Sequence, residues 1–220
     1  MRIHNPDLRS TIILLQVTLS LLAIVGAFYA YSSVRNHEPG PRNDSSKGKI
    51  HQLDSMVVES LRASTFYQLH MQDLKLSGRL RVEDANGLEW PISRLIGSGP
   101  KIILRYSNLN CQVCVDDEIG RLRQVASKIG AEKILILSSY SNARSLQAFK
   151  RANQLNSEVY NLGDTRLGLP SEAANVPCVF VTDPSLRIML THVPTKEIPE
   201  LSNVFYKVAL KRYFGVSNDM

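Results

Sequence analysis

Hydrophobic and polar positions change their spacing several times along the chain, and the first apolar stretch is the longest. No charged residue lies between Ser10 and Tyr31. At a rise of about 1.5 Å per residue, a helix of this length would span about 30 Å, the thickness of the hydrocarbon core of a bilayer. We therefore predict an N-terminal tail at residues 1–10 and a single transmembrane helix at residues 11–32. A cleaved signal peptide and a buried helix of a soluble domain are the alternatives.

Two signals for the orientation of this anchor disagree. Basic residues are more numerous just after the span than before it, which favours a cytoplasmic domain. A short tail before one apolar segment, in contrast, commonly directs the export of the downstream chain. We expect a single-pass protein of the inner membrane whose folded domain lies on the periplasmic side.

Two regions connect the anchor to the folded domain. Residues 33–49 are rich in Pro, Gly, Ser and Asn and poor in apolar residues, which is the composition of a flexible linker. Apolar residues then recur at helical spacing, which predicts an amphipathic helix at residues 50–70, either a stalk or a helix that packs against the domain. These apolar residues are Ile50, Leu53, Val57 and Leu61.

From residue 74 to residue 214 the pattern alternates between strands and helices. A hairpin comes first, because Asn86-Gly87 lies between two strand-like runs and suits a type I′ turn, and Pro91 marks the second run as an edge strand. Short apolar runs then alternate with helical stretches, the last from about Lys196 to Tyr213. We predict an α/β fold with this N-terminal hairpin, helices on both faces of the sheet, and the last two strands antiparallel.

Two cysteines, Cys111 and Cys114, lie between the apolar run KIILRY and a helical stretch. The N-terminus of a helix favours a thiolate, so the first cysteine is predicted to attack a disulfide and the second, one turn deeper, to resolve the mixed disulfide. A structural zinc site needs four ligands, and the chain has no second pair of cysteines or histidines at ligand spacing. Half of a metal site, or two inert buried cysteines, remain alternatives.

The charge of the chain adds little to this picture. The formal net charge is +6 at pH 7, but the basic residues are spread along the sequence and form no run with interleaved aromatic residues. We therefore expect no nucleic-acid binding.

Taken together, these motifs make the chain resemble the thioredoxin-like superfamily, most closely its membrane-anchored thiol–disulfide oxidoreductases and its peroxiredoxin-like (AhpC/TSA-type) branch. The resemblance covers about residues 74–213 and rests on VEDANGLEWPI, the strand leading to CQVC, the β-α-β unit after it, and NVPCVFVTD. It implies a cis-proline at Val176-Pro177 that faces the cysteines and binds an extended substrate peptide.

The same resemblance implies the partners of the domain. Its substrates would be protein thiols and disulfides, and its electrons would come from a membrane-embedded reductase. The implied roles are extracytoplasmic thiol supply or cytochrome c maturation. No cofactor is expected beyond a redox-active disulfide between Cys111 and Cys114.

Several positions depart from the pattern of this superfamily. Arg105 stands six positions before Cys111, where thioredoxin has a buried carboxylate, and it either stabilises a thiolate or points outward. Asn110 and Val113 replace the usual aromatic residue and the usual proline. The redox potential of the pair is therefore not predicted.

We also predict the burial or exposure of other polar and sulfur-containing residues near the motif. Cys178 follows Pro177 directly and is expected to be a core cysteine, with a third reactive thiol as the alternative. Three acidic residues in the first turns of the helix are expected to be solvated on an exposed face. They are Asp116, Asp117 and Glu118.

Three other functions stay open. A copper chaperone would use Cys111, Cys114 and His192 as ligands for Cu(I), although such chaperones usually have three residues between their cysteines. A thiol peroxidase would use Cys111 against peroxide, but Asn108 stands where those enzymes place a threonine. A domain that only docks to partners is the third, because Arg105 and Asn110 depart from the redox pattern.

Overall fold

A computed structural model describes residues 44–216 of the 220-residue chain, with side chains from Asp54 onward. The chain divides into two units, Met1–Gln52 and Leu53–Met220, and the sheet lies in the second. The predicted membrane span at residues 11–32 lies outside the described residues. Within residues 44–216, no helix is long and apolar enough to cross a bilayer.

The described residues contain one mixed sheet. Its strands run in the spatial order β2-β1-β5-β4-β3-β6-β7, with β3 parallel to β4, β4 parallel to β5, and the other pairs antiparallel. The strands are β1 (Arg81–Glu83), β2 (Glu89–Pro91), β3 (Lys101–Arg105), β4 (Ile134–Ser138), β5 (Glu158–Asn161), β6 (Cys178–Thr182) and β7 (Ile188–His192). The antiparallel final pair and the edge position of Pro91 are as predicted.

Six α-helices and one 3₁₀ turn accompany this sheet in the described part of the chain. They are α1 (Asp44–Met71), α2 (Ile92–Ile96), α3 (Gln112–Ile129), the 3₁₀ turn Ala131–Lys133, α4 (Ala143–Ala152), α5 (Pro170–Ala173) and α6 (Glu200–Tyr213). Helix α1 begins six residues before the predicted start at residue 50, so the end of the predicted linker is helical.

Alternate residues of the central strand β3 enter two separate cores, as the period of two in a strand requires. Ile102 and Leu104 pack with apolar residues of α3 and α6. Ile103 faces the opposite side, in a cluster with Met71 of α1 and Ile96 of α2. The predicted α/β sheet with helices on both faces is thus confirmed, and the end of β3 is held rigidly between two packed layers.

Most of the described part of α1 is solvent-exposed. Met71, at its C-terminus, is fully buried, and Ser64 donates a hydrogen bond to the carbonyl of Val193. The exposed apolar side chains of the helix are Met56, Val58, Leu61, Phe66 and Leu69. The helix therefore packs against the domain near its C-terminal end.

The hairpin forms where predicted, but its turn is not of type I′. Gly87 has a φ of +82°, whereas Asn86 is not among the residues with positive φ. The N–H of Gly87 donates to the carbonyl of Asp84, and the Asp84 carboxylate accepts from the N–H groups of Asn86 and Leu88 at 2.8 and 3.0 Å. The aspartate therefore favours a three-residue loop in which only Gly87 is left-handed.

Helix α6 begins later than the predicted start at Lys196. Its N-cap is Pro199, and the residue before a proline is disfavoured in helical conformation. The segment from Val193 to Pro199 is therefore a loop, which leaves Lys196 and Glu197 free to approach the end of the sheet that carries the cysteines.

Candidate active site

The loop between β3 and α3 places Cys111 at the start of a helix. The N–H of Ser107 donates to the side-chain oxygen of Asn110 at 2.6 Å, and the N–H of Asn110 donates to the carbonyl of Ser107 at 3.1 Å. This closed turn leads directly into Cys111, which is the N-cap residue of α3 and accepts the N–H of Val115 through its carbonyl. The Cys111 side chain is exposed to solvent.

Cys111 lies where its thiolate is stabilised. The thiol of Cys114 donates a hydrogen bond to its sulfur, and the backbone N–H groups of Cys114 and Val113 do the same. The positive charge of Lys196 acts in the same direction, and all of these lower the pKa of Cys111 against a smaller effect of burial. An exposed thiol with a lowered pKa is the group that attacks a disulfide.

Cys114 lies in an environment that favours the neutral thiol. It is 8% exposed, and burial, followed by the hydrogen bond to Cys111 and the negative charge there, raises the pKa of Cys114 to about 12. Both cysteines are free in this structure, so it represents the dithiol form. Each thiol shifts the pKa of the other, so the two side chains act on one another across the first turn of α3.

Arg105 neither reaches the cysteine pair nor points outward. Its Nε donates to Glu172 at 2.7 Å, one Nη donates to Ser139 at 2.9 Å, and the other donates to the carbonyl of Tyr106. The side chains of Arg105 and Glu172 are 7% and 6% exposed. Both expectations for Arg105 are therefore wrong, because a buried carboxylate takes up its charge.

Glu172 was not identified from the sequence. Besides Arg105, it accepts the N–H groups of Leu167, Gly168 and Leu169, so it fixes the loop that precedes α5. A weak signal was present, since Pro170 and Glu172 occupy the first and third positions of a helix. Its partnership with Arg105, 67 residues away, has no such signal.

The segment before β6 lies against the cysteine loop, as expected, but its peptide bond is different. The side-chain amide of Asn110 donates to the carbonyl of Asn175, which brings Val176 beside the loop. No peptide bond within residues 44–216 is cis, so the bond before Pro177 is trans and the predicted cis-proline is wrong. Asn175 makes the chain reversal with a φ of +52°, and the trans form is the intrinsically favoured one.

The backbone of Val176, which the resemblance implies would bind a substrate peptide, is partly engaged within the protein. Its N–H is already donated to the carbonyl of Ser171 at 2.9 Å. A substrate segment lying against Val176 would therefore meet a backbone whose donor is engaged inside the protein. Pro177 is buried and has no N–H to offer.

Cys178 is a core residue. It is fully buried, accepts a hydrogen bond from Ser171 at 3.3 Å, and packs in the cluster that contains Phe180. Burial raises the pKa of Cys178 to about 12. Cys178 is therefore an unreactive thiol, and the alternative of a third reactive cysteine finds no support in its surroundings.

His192 does not join the cysteines. It is 3% exposed, its Nε2 lies 2.8 Å from the hydroxyl of Ser202, and its ring stacks on Phe205. Burial lowers the pKa of His192 to about 4, so the ring is neutral at pH 7. Among the described residues no group of three or more His, Cys, Asp or Glu side chains gathers, so the predicted copper-ligand set Cys111, Cys114 and His192 is not assembled.

The three acidic residues after the cysteines are not equivalent. Asp116 and Asp117 are exposed, as predicted, but Glu118 is 1% exposed and the prediction for it is wrong. Glu118 lies four residues after Cys114, on the face of α3 that also buries Leu122. That helical spacing was the signal that could have identified it.

A cavity of about 300 Å³ opens beside the cysteine loop, at the carboxyl ends of β3 and β4. Its lining includes Tyr106, Asn110, Tyr140, Arg166, Asn175 and Val176. The hydroxyls of Tyr106 and Tyr140 lie 3.2 Å apart. Two exposed apolar side chains, Leu109 and Val113, flank Cys111. The surroundings of the nucleophile thus combine an apolar rim with a small polar cavity.

No protein-family model matches the chain, and no curated protein is detectably similar to it in sequence. Among solved structures, it is similar to a putative electron transfer protein from Aquifex aeolicus VF5, with 15% identity over 61% of this chain and 92% of that chain and a TM-score of 0.47. It is also similar to the peroxidoxin BcpB from Mycobacterium tuberculosis, with 12% identity over 62% and 95% and a TM-score of 0.45. A third is the thioredoxin domain of a thiol-disulfide oxidoreductase from Bacteroides vulgatus, with 10% identity over 60% and 98% and a TM-score of 0.45.

Proposed function

We propose that this protein is a membrane-anchored thiol–disulfide oxidoreductase. The observation that carries the proposal is the opposite environment of two neighbouring thiols: Cys111 is exposed with a lowered pKa, and Cys114 is buried with a raised one. Because of this difference, the two cysteines are suited to different steps of disulfide exchange. The first thiol is accessible and ionises more readily than a free cysteine, and the second stays protonated until the mixed disulfide has formed.

The reaction follows from this division. The Cys111 thiolate attacks one sulfur of a substrate disulfide, forms a mixed disulfide, and releases the other substrate sulfur as a thiolate that takes a proton from water. Cys114 then attacks the sulfur of Cys111. The Cys111–Cys114 disulfide forms as the second substrate thiolate leaves. The substrate gains two electrons and the cysteine pair loses them, so an external dithiol must restore the pair.

The apolar rim of Leu109 and Val113 and the cavity beside Asn110 favour a protein substrate. An extended chain could place an apolar residue on the rim and a polar side chain in the cavity, with its disulfide over Cys111. The exposure of the rim supports this interpretation, since Leu109 and Val113 are 72% and 61% exposed. A small disulfide would leave most of this surface uncovered.

The membrane location rests on the uncharged run of residues 11–32. We propose export of the domain to the periplasmic side of the inner membrane. Thiols there meet an oxidising space, so the pair would need a membrane-embedded reductase to act as a reductant. Thiol supply for cytochrome c maturation is one process with that requirement.

Substitution of each cysteine tests the chemistry. With dithiothreitol as electron donor and insulin as a disulfide substrate, Cys111→Ser is expected to abolish reduction, and Cys114→Ser is expected to accumulate a mixed disulfide, detected as an added mass on the protein. Cys178→Ala is the matched control and should retain activity. Full activity of Cys111→Ser would refute the proposal, and a wild-type protein that does not reduce insulin would favour a docking domain.

The location is tested separately. In intact cells, a membrane-impermeant maleimide should label Cys111 if the domain is exported. Labelling only after the cells are lysed would place the domain in the cytoplasm.

A further inference from the structure

Resolution of a mixed disulfide requires a base near Cys114. The attacking group is a thiolate, and Cys114 starts as a buried thiol that is 8% exposed. When Cys111 is in a mixed disulfide, it no longer carries the negative charge that helps to hold the proton on Cys114. The proton still has to leave a site with little access to water. At the position where thioredoxin has a buried carboxylate, this chain has Arg105, which is occupied by Glu172.

Glu118 is the buried carboxylate on the same helix face as Cys114. Residues four apart on a helix have Cβ atoms about 5–6 Å from each other, and both side chains point into the interior. Glu118 accepts a hydrogen bond from the hydroxyl of Tyr206 at 2.6 Å and from a guanidinium N–H of Arg121 at 3.2 Å.

The groups around Glu118 allow it to hold a proton and then to release it. Burial raises the pKa of Glu118. Hydrogen bonding with Ser202 and Tyr206 and the charge of Arg121 only partly oppose this, while the charge of Asp117 adds to it. His192, which contacts Ser202 from β7, is neutral at pH 7. A carboxylate with a raised pKa is closer in proton affinity to a thiol, which makes it a better acceptor. The side chain of Arg121 is 20% exposed, so it connects the buried Glu118 carboxylate to solvent.

We propose that Glu118 accepts the proton of Cys114 during the resolving step. The Cys114 thiol gives its proton to the Glu118 carboxylate, and the resulting thiolate attacks the sulfur of Cys111. The Cys114–Cys111 bond forms, the bond from Cys111 to the substrate sulfur breaks, and that sulfur leaves with the electron pair and takes a proton from water. The carboxylic acid of Glu118 then returns its proton to solvent on the Arg121 side. This role rests on the proposed thiol–disulfide exchange function.

Two other carboxylates near Cys114 are rival bases. Asp117 is exposed on α3, and Glu197 lies in the loop before α6 with a side chain that is 15% exposed. Both act on Cys114 through their charge. Glu118 is favoured because it is fully buried on the inner face of α3, whereas Asp117 faces solvent and Glu197 is 4.0 Å from the ammonium of Lys196.

The experiment uses 5,5′-dithiobis(2-nitrobenzoate) in stopped flow with the reduced full-length protein. Attack by Cys111 releases one coloured thiolate, and resolution by Cys114 releases a second, so the two steps are seen as separate phases. Glu118→Gln should leave the first phase unchanged and slow the second by about 100-fold at pH 7. The deficit should shrink at high pH, where hydroxide removes the proton. Asp117→Asn and Glu197→Gln should not slow the second phase, because each removes a charge that raises the pKa of Cys114.

The outcomes distinguish a failure of the role of Glu118 from a failure of the proposed thiol–disulfide exchange. If the wild-type protein shows no first phase, thiol–disulfide exchange itself is refuted. If the first phase is normal and Glu118→Gln resolves as fast as wild type, or if Asp117→Asn or Glu197→Gln shows the slow second phase instead, the role of Glu118 is refuted.

Tyr206→Phe provides a second test that does not remove the carboxylate. Loss of one donor makes the charged form of Glu118 less stable and raises its pKa further. The rate of the second phase, which rises with pH as Glu118 loses its proton, should then reach its half-maximal value at a higher pH than in wild type. An unchanged pH profile in a folded Tyr206→Phe protein, judged by its thermal melt, would refute the role even if Glu118→Gln does not fold.

Discussion

At the scale of single residues, Arg105 shows how a buried positive charge is accommodated at the end of a central strand. The sequence predicted that its guanidinium either stabilises a thiolate or points outward, but Glu172 brings a compensating charge to it from another part of the chain. Arg105 also lies beside Cys178 in the β3–β6 register, directly under the site. The pair therefore connects the end of β3 to the loop before α5.

Breaking this pair by one substitution is expected to be costly. Glu172→Gln would leave the Arg105 charge buried without a counter-ion, which typically lowers the free energy of unfolding by roughly 3–5 kcal/mol. Urea denaturation measures this change. The control is Glu89→Gln, whose partner Arg81 is held at a similar distance of 2.8 Å but in a pair that is 61% and 64% exposed. Exposed pairs contribute less than about 1 kcal/mol, so equal losses in the two variants would contradict the argument.

At the scale of elements, turns and helix starts decide where the site residues go. The sequence predicted the hairpin correctly but not its turn type, because the Asp84 carboxylate satisfies two backbone N–H groups and favours the three-residue loop. Pro199 delays α6 and leaves Lys196 in a loop beside Cys111, where its charge lowers the pKa of that thiol. Apolar periodicity carries no information on either effect, since both depend on side-chain hydrogen bonds and on backbone restriction.

Two glycines on different elements should respond oppositely to alanine. Gly87 has a φ of +82°, and an added Cβ would meet only a flexible Glu83 oxygen at 3.4 Å, so the cost of Gly87→Ala is conformational, about 1–2 kcal/mol. Gly120 lies inside α3 with open space around an added Cβ, and Gly120→Ala should gain about 0.5–1 kcal/mol. Thermal melts of the two variants provide the comparison, and shifts of the same sign would contradict it.

At the scale of the whole molecule, the sheet and its two helical layers could be predicted because short apolar strands and amphipathic helices have distinct periods. Cys111 and Cys114 could be placed at the start of α3 for the same reason. The partners of buried charges could not be predicted, since Arg105 and Glu172 meet only after the chain has folded. The membrane span at residues 11–32 lies outside the described residues and stays a prediction.

Acid should destabilise the folded domain through His192, because its folded pKa is about 4 against an ordinary value of 6.5. Between these values the unfolded chain binds more protons, so stability falls as pH decreases from about 6.5 to 4, by about 3 kcal/mol at most. Glu118 has the opposite effect on stability. Because its pKa is raised, the folded protein binds this proton at a higher pH than the unfolded chain does. Urea denaturation of wild type and His192→Gln across this range isolates the histidine, since the other groups titrate in both proteins. The variant should lose less stability on acidification than wild type, and parallel curves would mean that His192 is not buried in its neutral form.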